Sequence, residues 1–210
     1  MRSPSAVQLT LHVSGALVLW SLASCRSGSG AAGATDPGFT EAYFDEEDLS
    51  ELVKSDKATR FHFYNVMKEE GGGSVVAMGA DDKDQEVYSF VTGPWYRCYM
   101  GLEGAGVDCN KLIQDDASRL VDNVRRSGLT TYCAIFSKAE VMGLFKVDDC
   151  NAVRLRSERT ADGRYWTMRI APVNIAEGRI TELGDTHERV CTQPCPTYCG
   201  ADPAHFLHCR

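Results

Sequence analysis

The strongest constraint on the fold is a pair of alternating segments between residues 146 and 172. Val153 and Leu155 alternate with arginines, and the same alternation resumes over residues 165–170. Asp162-Gly163 lies between the two segments and tolerates a positive φ, so the pattern predicts a β-hairpin. A hairpin with one apolar face is not stable alone in water and needs further strands or a helix to cover it. The sequence therefore predicts a mainly β, antiparallel fold.

The first 25 residues have the form of an export signal. Arg2 precedes an apolar run, Val13–Ala23, that is too short to span a bilayer comfortably, and small residues follow it as a peptidase site requires. We therefore expect a secreted, extracellular protein without a membrane span. Leu22-Ala23-Ser24-Cys25 also has the form of a bacterial lipoprotein signal, in which Cys25 would be acylated. Both alternatives stay open.

Eight cysteines follow Cys25, and an even number behind an export signal predicts four disulfides. Sequence alone leaves about 105 connectivities open. The eight are Cys98, Cys109, Cys133, Cys150, Cys191, Cys195, Cys199 and Cys209. Cysteines and histidines are dense in the last 20 residues, but zinc sites use more closely spaced pairs and secretion favours oxidation. We expect no metal and no cofactor.

The chain of 210 residues is long enough for one globular domain with a small appendage. Its formal net charge is −7, and loss of the signal would remove one more positive charge, Arg2. An acidic protein does not favour nucleic acid or an anionic membrane. The sequence contains no nucleophile elbow, zinc-protease helix or phosphate loop, so we expect no enzymatic activity and no catalytic residues.

Composition divides the chain into a signal (residues 1–25), a flexible leader rich in Ser, Gly and Ala (26–43), a β domain (44–190) and a cysteine-rich tail tied by disulfides (191–210). Asp45–Asp48 favours the start of a short helix. Thr59–Met67 predicts a strand with an aromatic face, and Gly71–Gly73 a turn after it. Further strands are predicted over residues 74–78, 86–91, 95–100, 129–136 and 141–145. Helical spacing over Asn110–Arg126 predicts a mid-chain helix, and the segment after Pro172 has weak signals.

The order of these features resembles that of the tick salivary lipocalins, the histamine-binding group. The resemblance is carried by the acidic helix, the aromatic strand, a Pro-Trp before a cysteine strand, Asp148-Asp149-Cys150, and Gly163-Arg164-Tyr165-Trp166. It implies an eight-stranded lipocalin-like barrel that sequesters a biogenic amine or a lipid mediator. We expect the protein to be a monomer. It also implies that Cys150 pairs with Cys191, and Cys98 with a tail cysteine such as Cys209.

An amine pocket requires a carboxylate for the ammonium group and aromatic faces around it. The candidate ligand-binding residues are Phe61, Phe63, Tyr64, Trp95, Tyr96, Asp148 and Trp166. Each has an ordinary alternative, because aromatics that alternate along a strand commonly form core, and paired aspartates commonly form a turn.

A second hypothesis is a disulfide-rich module that binds a host protein such as a chemokine or a protease. The cysteine spacing from Cys191 to Cys209 resembles the end of the chemokine-binding evasins. A hollow interior lined by aromatics with an inward carboxylate would favour a small ligand, whereas a packed interior with an exposed apolar patch would favour a protein partner.

Overall fold

The chain was analysed as a computed structural model, which describes residues 38–69, 71–85, 87, 96–99, 109–112, 114–129 and 132–192. The strands are β1 (Glu41–Asp45), β2 (Arg60–Met67), β3 (Gly73–Ala80), β4 (Tyr96–Tyr99), β5 (Cys109–Leu112), β6 (Cys133–Ser137), β7 (Ala152–Arg159), β8 (Trp166–Ala176), β9 (Arg179–Glu182) and β10 (Arg189–Val190). The helices are α1 (Glu46–Leu52), α2 (Gln114–Arg126) and α3 (Lys138–Leu144), with a 3-10 turn at Asp185–His187.

The described strands form two antiparallel sheets. The hairpin sheet has β8 at its centre, with β7 and then β1 on one side and both β9 and β10 on the other. The second sheet, which we call the helix-covered sheet, has the order β5-β4-β3-β2-β6. The predicted mainly β, antiparallel fold is confirmed, but within the described residues the two sheets do not join into a closed barrel.

Apolar side chains from both sheets meet in one continuous core. The hairpin sheet contributes Leu155 and Ile170, and the helix-covered sheet contributes Phe61 and Phe63, all fully buried. Alternate residues of a strand point to the same face, which explains why Phe61 and Phe63 lie two apart along β2, whereas Leu155 and Ile170 are partners across the β7–β8 pair. The sheets therefore pack face to face, with side chains filling the space between the described strands.

Helix α2 covers the outer face of the helix-covered sheet and forms a second core. Ala117 and Val121 of α2 pack against Tyr64, Val66 and Val76 of the sheet. The Asn123 side-chain amide fixes the helix by donating to the carbonyl of Met67. Strand β2 is consequently buried on both faces, so its sequence has no clean alternation of apolar and polar residues.

The start of β3 passes very close to the chain that enters β1. A Cβ atom on Gly73 would lie 1.7 Å from the carbonyl oxygen of Gly38, so no larger residue fits there without a backbone shift. The triple glycine thus provides both the predicted turn, with positive φ at Gly71 and Gly72, and this close approach.

Several sequence predictions are confirmed by the fold. The central hairpin forms as β7 and β8, pairing Ala152 with Val173 through to Arg159 with Trp166. The acidic helix forms as α1, where the Asp45 side chain caps the backbone N–H of Asp48. Strands also form at the predicted segments 59–67, 74–78 and 95–100, although β3 is longer than predicted and extends from Gly73 to Ala80. The first strand begins at Glu41, three residues before the predicted domain boundary.

The prediction of a strand at residues 141–145 is wrong, because residues 141–144 lie in α3 and Phe145 is its C-cap. Ser137 and Glu140 form a capping box that begins the helix, and Val141 and Leu144 are buried at helical spacing. A short apolar run cannot by itself distinguish a strand from a buried helix.

The prediction of a helix from Asn110 is wrong over its first residues, since Cys109–Leu112 forms β5 and the helix begins at Gln114. The strand predicted at residues 129–136 begins only at Cys133. In the segment after Pro172, β8 continues to Ala176 and β9 follows. Of the strand predicted at 86–91, Val87 is not in a strand and the remainder lies outside the described residues, as does the tail after Thr192.

Candidate functional site

The structure does not bring the predicted ligand-binding residues together. Phe61 and Phe63 lie in the core between the sheets, where Phe63 contacts Phe44 and Phe136 at ring-centroid distances of 5.7 and 6.0 Å. Tyr64 lies on the opposite face of β2, beneath α2. These aromatic residues belong to the core, which is the ordinary alternative to a ligand site. Phe63 and Tyr64 are successive residues that point to opposite faces of β2, so they could not line one pocket together.

Asp148 is exposed, in the turn that follows α3. Its neighbour Asp149 has a φ of 65°, a left-handed conformation that aspartate tolerates in turns. The structure therefore places this pair in a turn before a strand and away from the core aromatics. Trp95 lies outside the described residues, and Tyr96 is described only as part of the β4 backbone.

Trp166 is the predicted residue that lies beside a cavity wall. It is half-buried at the start of β8, directly opposite Arg159 of β7. The guanidinium carbon of Arg159 lies over its ring, 4.2 Å from the centroid, a cation–π arrangement. Trp166 also packs against the core between the sheets.

A cavity of about 620 Å³ opens next to this pair, between the turn of the β7–β8 hairpin and the end of β10. We call it the hairpin cavity. Its walls include Glu158, Arg159, Asp162, Tyr165, Arg169 and Cys191. The sequence predicted the hairpin that forms one wall of this cavity. No sequence pattern indicated that the segment after β10 would form the opposite wall.

Arg169 is a charged residue of the wall, and it is held by Glu158, which also lines the cavity, and by Glu188, which does not. The Nε of Arg169 donates to Glu158 at 2.8 Å, and its Nη1 donates to Glu188 at 2.7 Å. The hydrogen bond to Glu158 makes the largest contribution to the raised pKa of Arg169. Burial acts in the opposite direction and lowers this pKa, and the bond to Glu188 raises it further. The guanidinium therefore stays charged and is held by two carboxylates.

The carboxylate of Asp162 is bound within the hairpin turn. It accepts a hydrogen bond of 2.6 Å from the Thr160 hydroxyl and one of 3.1 Å from the backbone N–H of Arg164. These bonds, the Thr160 bond foremost, lower the pKa of Asp162. The turn that begins β8 is thus fixed by its own polar groups.

Cys191 attaches the chain after β10 to both sheets. Its N–H donates to the carbonyl of Met168 and its carbonyl accepts from the buried Thr167 hydroxyl. Its sulfur accepts a hydrogen bond of 3.3 Å from the N–H of Ile135 in β6. This residue therefore fixes the floor of the hairpin cavity at the place where the sheets approach each other.

The disulfide that the resemblance implies between Cys150 and Cys191 is not present. The thiol of Cys150 contacts the carbonyl of Ala152 at 3.3 Å, and burial raises its pKa. Cys133, which faces α2, is not bonded to either of these two cysteines. The other cysteine side chains lie outside the described part of the chain.

His62 is a polar residue whose environment sequence reasoning missed. It alternates with Phe61 and Phe63 and so falls on the face opposite the predicted aromatic face, yet it is 1% exposed, with the Tyr64 hydroxyl 3.3 Å from Nδ1 and Asp84 3.3 Å from Nε2. Within the described ranges, no cluster of three or more His, Cys, Asp or Glu side chains is arranged to hold a metal ion. No described helix combines the length and the apolar character that crossing a membrane requires.

Comparison with known proteins yields no family model, no curated protein and no solved structure that matches this chain.

Proposed function

We propose that the chain is a secreted small-ligand-binding protein that works without chemistry, and that its site is the hairpin cavity. The observation that carries this proposal is the cavity's volume of about 620 Å³. Sites for small organic ligands have volumes of roughly 300–1,000 Å³ and combine apolar walls with a few placed polar groups. In the hairpin cavity, the Tyr165 ring supplies apolar surface, and the side chains of Arg159 and Arg169 supply charged groups.

The proposal keeps the lipocalin-like barrel and the amine or lipid mediator that the sequence resemblance implies, but moves the site away from Phe61 and Phe63. One contact supports the barrel. The N–H of Ile135 donates to the sulfur of Cys191, which brings β6, an edge strand of the helix-covered sheet, beside the chain that leaves β10, an edge strand of the hairpin sheet. Such an approach is what a barrel requires where one sheet continues into the next.

Binding is testable by tryptophan quenching and calorimetry on the oxidised mature chain, with histamine, serotonin, a leukotriene and a fatty acid. We expect saturable one-to-one binding that Tyr165→Ala weakens, because this ring lines the cavity. The control is Phe145→Leu, since Phe145 packs against the core and is not among the residues that line the cavity. Absence of binding by every compound, in a chain with a native β spectrum, would refute the proposal.

A protein partner is the second candidate function. It is favoured by the packed space between the sheets and by Tyr165, the exposed large hydrophobic residue of the described chain, at 41% exposure. A protein partner would contact the rim of the hairpin cavity, where this ring is presented. If Tyr165→Ala abolished binding to a chemokine or a protease while no small compound bound, this second function would replace the first.

A further inference from the structure

We propose that the hairpin cavity takes an uncharged amphiphile, an apolar chain that ends in a hydroxyl group, in preference to an amine or an acid with the same chain. This inference rests on the proposed function and names its ligand class. It follows from the charged groups of the wall, which balance one another and are engaged within the protein.

Both carboxylates of the wall are bound by donors of the protein itself. The two oxygens of Glu158 accept from Arg169, at 2.8 and 3.4 Å. The carboxylate of Asp162 accepts from the Thr160 hydroxyl and from the backbone N–H of Arg164. An ammonium group would have to compete with these donors, and charge-assisted bonds such as the first are the stronger kind. The wall therefore offers an amine no carboxylate that is not already in use.

The two guanidiniums of the wall are engaged as well. Arg169 is held by Glu158 at 2.8 Å and by Glu188 at 2.7 Å. An acid that approached Arg169 would meet two carboxylates that already bind it, and like charges at short range repel each other. The guanidinium of Arg159 lies over the Trp166 ring, 4.2 Å from its centroid, so the protein itself uses this cation. An acid would therefore gain little at either arginine.

The formal charges of the lining cancel, because its described charged residues are these two carboxylates and two guanidiniums. A charged head group that left water for this cavity would lose hydration without gaining an unpaired counter-charge, which is costly, whereas an uncharged head group loses less. The lining also includes Tyr165, Ala161 and Val190, which present apolar surface, and Thr192, whose hydroxyl can donate and accept. Such a wall suits an apolar chain with a neutral polar end.

Three probes with the same eight-carbon chain separate the head groups: 1-octanol, octanoate and octylamine. Their affinities are measured at pH 7 by tryptophan quenching and calorimetry, with each probe below the concentration at which it aggregates. We expect 1-octanol to bind about tenfold more tightly than either charged probe, because only the charged head groups lose hydration without a free partner. Octanoate or octylamine that bound as tightly as 1-octanol would overturn this inference and leave the proposed function standing. Absence of binding by all three would also overturn it, and a blank result for the four mediators as well would refute the proposed function.

Two variants of one ion pair test whether charge balance is the cause. Glu158→Gln removes a negative charge from the wall, so we expect the affinity for octanoate relative to 1-octanol to rise about fivefold. Arg169→Gln removes a positive charge, so we expect the affinity for octylamine relative to 1-octanol to rise by a similar factor. Because the expected changes have opposite signs, loss of structure cannot imitate both, and either variant decides alone if the other fails to fold.

Glu177→Gln is the matched control, because this glutamate is exposed in the turn at the opposite end of β8. Its affinity ratios should equal those of the native chain. Ratios that shifted in the same direction in Glu158→Gln and Arg169→Gln, or that stayed at the control's values in both, would refute selection by the balanced wall.

Discussion

The Oδ1 atom of Asp84 lies 3.3 Å from Nε2 of His62, and it also accepts a 2.6 Å hydrogen bond from Arg60. The hydrogen bond with His62 makes the largest contribution to the lowered pKa of the Asp84 carboxyl. Burial acts in the opposite direction and raises this pKa, and the bond from Arg60 lowers it further. A carboxyl whose pKa is lowered by folding stabilises the native state above its unfolded pKa of about 3.9. That contribution is lost as the pH falls through the lower, folded pKa.

We therefore expect Asp84→Asn to reduce the free energy of unfolding at pH 7 by about 1 kcal/mol, and the difference from the native chain to shrink below about pH 4. Urea unfolding at pH 7 and pH 3 measures both effects. Asp82→Asn is the control, since Asp82 is exposed in the same turn. A loss that stayed constant down to pH 3 would contradict a contribution from the ionised carboxylate.

Phe63 tests whether the space between the sheets is packed. Its ring is fully buried against Phe44, Phe61 and Phe136. Truncating a buried phenylalanine leaves a cavity and costs about 3–5 kcal/mol. We expect Phe63→Ala to lose that much stability in chemical denaturation, whereas Tyr165→Ala at the exposed rim changes it by less than about 0.5 kcal/mol. A loss below about 1 kcal/mol for Phe63→Ala would show that the ring lines an empty space instead.

The capping box of α3 is the third test. The Ser137 hydroxyl accepts from the backbone N–H of Glu140 at 3.1 Å, and the Glu140 carboxylate accepts from the N–H of Ser137 at 2.8 Å. Ser137→Ala removes the N-cap and is expected to cost about 1 kcal/mol in urea unfolding. Glu140→Gln keeps a side chain that suits this position and should cost less. Equal stability of Ser137→Ala and the native chain would contradict the cap.

How far the sequence predicts the fold is clear from two neighbouring segments. The β7–β8 hairpin was predictable because apolar and polar residues alternate along both strands, and because Asp162-Gly163 marks the turn. Helix α3 was not recognised, because its apolar run is short and its local signal is the Ser137–Glu140 spacing. Strand β5 was assigned to the following helix, because Leu112 fits a helical spacing as well as a strand.

The candidate site was less predictable than the fold. Trp166 was chosen as an aromatic residue of a strand, but its partner Arg159 follows only from the register that the turn sets. The wall formed by Cys191 depends on hydrogen bonds to β6 and β8, elements far from it in sequence. Alternation along one strand carries no information about such contacts.

Arg154 provides the last prediction, because it is a buried cation in the middle of the hairpin sheet. Its side chain is 3% exposed. Its Nη1 forms an ion pair with Glu182, and its Nη2 lies 3.9 Å from a carboxylate oxygen of Glu188. Its Nε has no hydrogen-bond partner among the described residues. Removing water from a cation is costly, so replacing a buried ion pair by an apolar residue of similar volume is often neutral or stabilising. Arg154→Met would leave Glu182, which is 50% exposed, free to hydrate, and Glu188 bound to Arg169.

We expect Arg154→Met to change the free energy of unfolding by less than about 1 kcal/mol. Glu182→Ala should destabilise the protein more, because it leaves the buried guanidinium with only the more distant carboxylate of Glu188 as a partner. The Arg154 bond lowers the pKa of Glu182, so the loss in Glu182→Ala should begin to diminish as the pH falls below the unfolded glutamate pKa of about 4.3 and disappear as it passes through the lower, folded pKa. Arg179→Met, at an exposed arginine of β9, is the matched control for the substitution. Urea unfolding of the three variants at pH 7 and pH 3 decides the question: a larger loss in Arg154→Met than in Glu182→Ala would mean that the ion pairs of Arg154 contribute more than its burial costs.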